Sequence, residues 1–276
     1  MGWCNNNPVG WCNNNFVEIR DFLEKIILEA GEIALDYFKK GVTYKTKSHL
    51  ADLVTEADKG VSDFLIQKIQ AMFPDHHIRS EELENDINPG ADYEWVIDPI
   101  DGTRNFAMGI PMWCIIIAVV YRGETLYGAV YNPIAHELFL AEKGQGATLN
   151  KLPIKVSAKD DMYYACGSLS CVAEANETYG SHVDRFVKLY DNFNHKTVTW
   201  RHAFGCMLAT CYVATGGMDF FVQNAGLDHD FLGPVLIARE AGAVVTDSDG
   251  NEWQRGRQDI VIAPPALHPK IMELFD

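Results

Sequence analysis

Residues 95–106 contain the side chains best suited to chemistry, two carboxylates beside a Pro-Ile pair and a Gly-Thr turn. Asp98 precedes a proline, which biases its backbone toward an extended conformation, as at the end of a strand. Gly102 permits a tight turn, after which its N–H group and that of Thr103 can face an anion. Asp98 and Asp101 are hard oxygen ligands beside these amides, so the turn suits Mg2+ and a phosphate group. Taken alone, an Asp-x-x-Asp-Gly sequence is equally a polar turn after a buried strand.

Three further acidic positions can join this chemistry, and each also has a simpler structural explanation. Asp58 closes a Thr-x-x-Asp sequence at the start of a helical pattern, which is a capping box. Glu81 begins an acidic run that continues to residue 86, as on a solvated surface. Asp230 can cap the helix that follows it, and Asp228 is a second candidate close by.

The elements that must position these residues begin with two amphipathic helices. Apolar residues recur at helical spacing over residues 16–40, and Gly41 is the expected terminator. A second helix is expected from Thr55 to just before Pro74, with a polar loop at residues 43–52 between the helices. The apolar positions expected to be buried in the second helix are Val61, Phe64, Leu65 and Met72.

Short strands with Gly or Pro punctuation follow these helices. Strands are expected at residues 93–97, 113–121, 125–132 and 137–141, with hairpin turns at residues 122–123 and 143–146. After about Val156, helical patterns cover residues 201–215 and 230–241, and strand patterns cover residues 218–222, 244–246 and 260–263. Two helices, a mostly antiparallel sheet and then an α/β half predict layered lobes with a cleft between them.

The net charge of the chain limits the kinds of partner that it can bind. The chain has 276 residues, enough for one large domain or two lobes, and a net charge of −15 from 38 acidic and 23 basic residues. This charge argues against a nucleic-acid or anionic-membrane surface, and no apolar run reaches membrane-spanning length. An anionic substrate remains compatible, because bound Mg2+ reverses the local field.

The seven cysteines include no Cys-x-x-Cys pair, and an odd number in a chain of this size predicts reduced thiols and a cytoplasmic location. The sequence Gly-Trp-Cys-Asn-Asn-Asn occurs twice within residues 1–15. This segment has no basic region or apolar core, so it is not a signal peptide, and we expect a disordered leader. A Cys4–Cys12 link or metal site is the alternative.

Several blocks together resemble the inositol monophosphatase family of Mg2+-dependent phosphomonoesterases. Residues 95–106 resemble the family signature. Further blocks in family order are Leu-Val-Thr-Glu-Ala-Asp at 53–58, Ser-Glu-Glu at 80–82, Val-Ala-Thr-Gly-Gly at 213–217 and Glu-Ala-Gly-Ala at 240–243. The resemblance runs from about residue 16 to the C-terminus. It implies a five-layer αβαβα sandwich of mixed α+β and α/β character, with the metal site between an N-terminal lobe, residues 16–155, and a C-terminal lobe, residues 156–276.

The resemblance also implies ligands for two or three Mg2+ ions. Asp98 would bridge two metals, the Ile100 carbonyl and Glu81 would complete the first position, and Asp101 and Asp230 would hold the second. The Ile100 assignment rests on the resemblance alone, since a backbone ligand cannot be inferred from a side chain.

Catalytic roles follow from the same resemblance. Asp58 and Thr103 would polarise the attacking water, and the amides of Gly102 and Thr103 would hold the phosphate oxygens. If Asp58 also caps its helix, the two roles would compromise each other's geometry. The residues implied to contact the substrate are Asp101, Arg201, Gly205, Cys206, Gln223 and Asp230.

Departures from the family pattern fall mainly on the substrate residues. Gln223 stands where inositol selectivity depends on a Glu, and Phe204 replaces a Gly, where it would narrow the pocket or turn away. His229 replaces the usual Trp before the ligand Asp230, and Ser80 replaces a Gly before the acidic pair. The resemblance therefore supports the catalytic chemistry better than it supports inositol as the substrate.

We predict a phosphatase that hydrolyses a small phosphate monoester, first an inositol phosphate-like polyol or a sugar phosphate. Histidinol-phosphate phosphatase and fructose-1,6-bisphosphatase of the same superfamily are the alternatives. A metal-binding scaffold with this fold and no turnover is the alternative of another class. By resemblance we also expect a homodimer.

Overall fold

The computed structural model describes residues 15–41, 44–46, 53–171 and 183–276. Its helices are α1 (Asn15–Lys40), α2 (Glu56–Met72), α3 (Thr103–Ala107), α4 (Val183–Lys196), α5 (Leu208–Ala214), α6 (Asp228–Glu240) and α7 (His268–Met272). Its strands are β1 (Tyr44–Thr46), β2 (Leu53–Thr55), β3 (His77–Ser80), β4 (Tyr93–Asp101), β5 (Cys114–Tyr121), β6 (Glu124–Asn132), β7 (Glu137–Glu142), β8 (Gly146–Leu149), β9 (Leu152–Pro153), β10 (Cys166–Ser170), β11 (Trp200–His202), β12 (Phe220–Gln223), β13 (Val244–Thr246) and β14 (Ile260–Ala263). Of the expected leader, residues 1–14 lie outside the described residues, and Asn15 belongs to α1.

Both expected N-terminal helices are confirmed. Apolar positions of α1 recur every three or four residues and are fully buried, as at Leu23 and Ile27. Gly41 follows with φ of 75°, a left-handed conformation that suits glycine after a helix end. Thr55 is the N-cap of α2, and its hydroxyl accepts hydrogen bonds from the backbone of Ala57 and Asp58.

Two expectations for this region are wrong. Met72 is 41% exposed, because its neighbour Phe73, rather than Met72, packs edge-on against Phe22 and stacks on Trp95. Residues 44–46 are not loop, since β1 pairs antiparallel with β2 through backbone hydrogen bonds that a polar sequence can also make. The rest of that expected loop lies outside the described residues.

A seven-stranded sheet carries most of the first half of the chain, in the order β3-β4-β5-β6-β7-β8-β9. The β3–β4 pair is parallel, and the neighbours from β4 onward are antiparallel. Strand β4 continues to Asp101 instead of ending near residue 97, with a register shift between Asp98 and Asp101. Pro99 is tolerated there because an irregularity in the ladder needs no N–H donor from it.

The second half contains a five-stranded sheet in the order β11-β10-β12-β14-β13. The expected strands at residues 244–246 and 260–263 are confirmed as β13 and β14. The helix expected over residues 201–215 is wrong at its start: Trp200–His202 pairs parallel with β10, and helix α5 begins only at Leu208. Backbone pairing with β10 therefore overrides the helical pattern at residues 201–202.

Three apolar cores lie between five layers, which confirms the αβαβα sandwich. The first core joins α1 and α2 to the seven-stranded sheet, and the second joins that sheet to α5, α6 and the five-stranded sheet. The third joins the five-stranded sheet to α4 and α7. The division into lobes at residue 155 stays a prediction.

A close contact between two glycines positions the middle layer. A Cβ atom added to Gly128 in β6 would lie 2.5 Å from the carbonyl oxygen of Gly233 in α6. Only glycine lets the strand and helix backbones approach this closely. The contact sets the distance between β6 and the middle of α6. Within the described residues, no helix has the length and apolar character needed to cross a bilayer.

Candidate active site

A cavity of about 610 Å3 lies where the two halves of the chain meet. The end of β4, the start of α3 and the start of α6 all contribute to its walls. The predicted site residues that line it are Glu81, Asp98, Ile100, Asp101, Gly102, Thr103, Gly205, Cys206, Gln223 and Asp230. The structure therefore brings most of the predicted set into one cavity.

The register shift at the end of β4 fixes two buried carboxylates. The Asp98 side chain is turned back so that its Oδ1 accepts a hydrogen bond of 3.1 Å from the Ile100 backbone N–H. Asp101 Oδ2 accepts from the Met207 backbone N–H at 2.5 Å and from the Cys114 thiol at 3.1 Å. Each carboxylate is thus held by backbone, and the Met207 bond ties β4 to the second half of the chain.

Glu81 lies just beyond β3, and its backbone N–H donates to the Ile97 carbonyl at 3.1 Å. This bond extends the parallel β3–β4 pairing by one residue and places Glu81 beside Asp98. The preceding Ser80 is buried, with its hydroxyl 2.8 Å from that of Ser62 in α2, so the departure from glycine has a hydrogen-bond partner.

The start of α6 separates the two C-terminal candidates. Asp230 lines the cavity, and its Oδ2 accepts from the Leu227 N–H at 2.6 Å. It is therefore not the N-cap that the sequence allowed; Leu227 is the N-cap. Asp228 accepts hydrogen bonds from Arg255 Nε at 2.7 Å and Arg79 Nη1 at 3.1 Å instead of lining the cavity.

Two groups of potential ligand atoms share one residue. Oxygens of Asp98, Asp101 and Asp230 all lie within 4.8 Å of one another. An oxygen of Asp98, an oxygen of Glu81 and a ring nitrogen of His229 form a second group within the same limit. Asp98 therefore lies where one carboxylate can serve two neighbouring cations.

Burial and repulsion between neighbouring negative charges raise the pKa values of these carboxyl groups. Burial, with the negative charges of Glu81 and Asp101 added, raises the pKa of Asp98 well above its usual range. Burial and the nearby Asp230 raise the pKa of Asp101 to about 7. Burial also raises the pKa of Asp230, although 23% of its side-chain surface is exposed.

Among the described residues that line the cavity, Arg104 is the only arginine or lysine. Oxygen donors crowded together with so little positive side-chain charge fit divalent cations, which would favour the ionised carboxylates.

The two carboxylate oxygens of Asp58 make different contacts. Oδ2 accepts from the backbone N–H of Thr55 at 2.7 Å and from its hydroxyl at 2.5 Å, which completes the capping box. Oδ1 lies 3.3 Å from Thr103 Oγ1, which in turn lies 3.0 Å from the Ile100 carbonyl oxygen. Capping by Oδ2 therefore does not prevent Oδ1 from contacting Thr103. Asp58 itself does not line the cavity, and its catalytic role stays a prediction. Burial raises the pKa of Asp58 to about 6.

Only some of the residues predicted to contact the substrate line the cavity. Gly205, Cys206 and Gln223 line the cavity. Arg201 does not line it: its guanidinium lies over the Phe193 ring, 5.8 Å from the centroid, and donates to Asn194. Its role as a substrate contact stays a prediction that this arrangement does not support.

Phe204 turns away from the cavity. Its ring stacks on His202 with 5.1 Å between the centroids and does not line the cavity wall. Its backbone carbonyl accepts a hydrogen bond of 2.7 Å from the Asn105 side chain, which also donates to the Met112 carbonyl at 2.7 Å. Asn105 thus fixes α3 against the segment that carries Gly205.

Several residues that line the cavity, among them Arg104 and Met207, were not identified from the sequence as site residues. Arg104 lines the cavity from within the signature turn, so its position in that motif was the available signal. Met207 contributes only its backbone N–H, which no sequence pattern reveals.

Comparison with known proteins agrees with this geometry. The model of the inositol monophosphatase family matches residues 16–276, and the chain belongs to this family. A fructose-1,6-bisphosphatase/inositol-1-monophosphatase of Thermotoga maritima is 30% identical over 93% of this chain and 95% of its own length. Nus factor SuhB of Haemophilus influenzae is 33% identical over 84% of this chain and 85% of its own.

A solved structure gives the same result for the fold. The extragenic suppressor protein suhB of Bartonella henselae superimposes with a TM-score of 0.84 at 25% identity, covering 94% of this chain and 98% of that one. Family membership supports a phosphatase of this superfamily. The names of the relatives differ, so the substrate does not follow from them.

Proposed function

We propose that this chain is a Mg2+-dependent phosphatase that hydrolyses a small phosphate monoester to an alcohol and phosphate. The observation that carries the proposal is the position of Asp98, which offers an oxygen to both groups of ligand atoms. A carboxylate shared in this way would suit a pair of divalent cations.

The donor set fits two Mg2+ ions. Glu81, Asp98 and the Ile100 carbonyl would hold one ion, and Asp98, Asp101 and Asp230 would hold the other. Bound ions would lower the pKa of the attacking water and neutralise charge on the phosphate and on the departing oxygen.

The chain's own residues would position the reactants. The Thr103 hydroxyl, fixed between Asp58 and the Ile100 carbonyl, would orient the attacking water. Asp58, with its pKa raised to about 6, is basic enough to accept a proton through Thr103 near neutral pH. Amides of Gly102 and Thr103 at the turn would hold phosphate oxygens.

The second half would bind the alcohol portion of the substrate. Gln223 can donate to and accept from hydroxyl groups, and Gly205 lines the same cavity without a side chain. We place a polyol or sugar phosphate first. Fructose 1,6-bisphosphate, named for the Thermotoga maritima relative, and histidinol phosphate follow. We also propose a cytoplasmic homodimer, as in the sequence prediction.

Comparison of Asp98→Asn with Asp191→Asn tests the proposal. Asp191 lies on α4 with 71% of its side chain exposed, which makes it a matched control for the charge change. We expect Asp98→Asn to lower Mg2+-dependent phosphate release by at least about 10³-fold, because it removes the shared ligand. Asp191→Asn should retain wild-type turnover, and near-wild-type turnover in Asp98→Asn would overturn the proposal.

A further inference from the structure

His229 lies inside the cavity beside two acidic residues that the proposed reaction uses. A ring nitrogen of His229 and oxygens of Glu81 and Asp98 all lie within 4.8 Å of one another. Two ligands on opposite sides of an ion at about 2.1 Å from it are roughly 4.2 Å apart. Three donor atoms within this limit can therefore surround a single cation.

The helix start holds His229 in this position through its two neighbours. Asp228 is anchored on one side by Arg255 at 2.7 Å, and Asp230 is anchored on the other by the Leu227 N–H at 2.6 Å. The His229 side chain is only 14% exposed, and its Nε2 lies 3.8 Å from Asp230 Oδ2, too far for a hydrogen bond. The imidazole is thus directed at the cavity without being tied to Asp230.

Histidine at position 229 can bind a metal ion, whereas tryptophan cannot. The tryptophan that the family pattern has here carries an indole N–H, which is a donor and not a ligand. A neutral imidazole can bind a metal through a ring nitrogen, and it suits transition ions better than it suits Mg2+. The group of Asp98, Asp101 and Asp230 offers oxygen alone.

We propose that His229 is a nitrogen ligand of the metal position formed with Glu81 and Asp98. This inference rests on the proposed function, because it deepens the account of the same metal site. The two positions then differ in donor type: one is all oxygen and suits Mg2+, and the other has a mixed donor set and favours Mn2+ over Mg2+. The ion preference of the position formed with Glu81 and Asp98 then depends on the His229 side chain.

Pulsed electron paramagnetic resonance of the full chain, loaded with half an equivalent of Mn2+, tests this directly. Mn2+ is paramagnetic, and as a hard ion it is bound only weakly by the chain's cysteine thiols. The variants are His229→Phe, Asp98→Asn and His195→Phe. His195 is a matched control on α4, with 74% of its side chain exposed.

Wild type and His195→Phe should show the 14N modulation of a directly bound imidazole, and His229→Phe should lose it. His229→Phe should also weaken Mn2+ binding by about tenfold, with a smaller effect on Mg2+ binding. If wild-type Mn2+ binding depends on Asp98 but shows no 14N modulation, the inference fails and the proposed function stands. If Mn2+ binds wild type and Asp98→Asn equally well, the proposed function fails as well.

Discussion

The two walls of the cavity are built differently. On the β4 side, backbone N–H groups hold the carboxylates of Asp98 and Asp101. On the α6 side, side-chain ion pairs anchor the helix start: Arg255 contacts both Glu94 and Asp228 at 2.7 Å. The first wall matches the family signature, and the departures His229 and Gln223 fall on the second. Asp230 on the second wall is also held by a backbone N–H, that of Leu227, so the walls differ in the added ion pairs and in where the departures fall. We therefore expect ion and substrate preference to vary at the second wall.

Removing the Thr103 hydroxyl tests the difference between the two walls most strongly, because this hydroxyl belongs only to the first wall. We expect Thr103→Ala to lower kcat by about 10²–10³-fold, since the water loses its orienting group. Mg2+ affinity should stay within about threefold of wild type, because no carboxylate ligand is lost. Thr103→Ser keeps the hydroxyl and should recover most of the rate. Loss of Mg2+ binding in Thr103→Ala would show that the residue is structural.

The acidic cluster predicts how stability depends on pH without metal. The pKa of Asp58 is raised to about 6 and that of Asp101 to about 7, so the folded state binds protons more tightly than the unfolded state does. Stability contributed by these protons is complete below about pH 4 and is lost as pH rises to about 7. For Asp58 alone the change is roughly 3 kcal/mol.

Urea unfolding with EDTA at pH 5 and pH 8, repeated with Mg2+, measures this effect. We expect the EDTA-treated chain to be less stable at pH 8 and Mg2+ to restore more stability at pH 8 than at pH 5, because the ionised cluster binds the cation. Asp58→Asn should reduce the pH dependence. Equal stability at both pH values in EDTA would contradict the electrostatic account.

The contact between Gly128 in β6 and Gly233 in α6 supports the second wall and can be disturbed by a single substitution. Gly128→Ala places a methyl group where 2.5 Å separates it from the Gly233 carbonyl oxygen, so we expect a loss of about 1–3 kcal/mol in unfolding free energy. Displacement of α6 should also weaken Mg2+ binding through Asp230. Gly217→Ala is the control, since its nearest contact would be 3.3 Å from a threonine hydroxyl. Unchanged stability in Gly128→Ala would show that the two backbones can separate at little cost.

A substitution at Gln223 should have the smallest effect on activity, and it tests whether the second wall binds the substrate. Gln223→Glu restores the anionic acceptor of the family pattern, and we expect kcat/KM for inositol 1-phosphate to rise by about threefold to tenfold. Mg2+ affinity should not change, and thermal stability should fall slightly because the hydrogen bond from Gln223 Nε2 to the Ala225 carbonyl is lost. A loss of Mg2+ binding instead would place Gln223 in the metal chemistry.

The sequence predicts the first wall well because its signals are local. Asp98, Gly102 and Thr103 lie in one continuous motif, and their neighbours in the chain are their neighbours in space. Strand β3 was missed because only Ile78 of its four residues is apolar, so the alternation of buried and partly exposed positions leaves no hydrophobic pattern in the sequence. The start of α5 was misplaced because β10, distant in sequence, pairs with residues 200–202.

The joining of the second wall to the first depends on contacts that no local pattern contains. The Met207 N–H reaches Asp101 across 106 positions of the chain, and Arg255 reaches Glu94 across 161. Arg201 follows the family spacing, but its side chain lies on Phe193. Spacing alone therefore selects candidates on this wall, and packing decides which of them enter the cavity.

Phosphate release by the full chain, with Mg2+ and again after EDTA, tests the central claim most directly. The panel is inositol 1-phosphate, fructose 1,6-bisphosphate, histidinol phosphate, NADP and 3′-phosphoadenosine 5′-phosphate. The account predicts turnover of at least one compound with Mg2+ and release at background level with EDTA. Mg2+ binding through Asp98 without release from any compound would contradict it and favour the metal-binding scaffold.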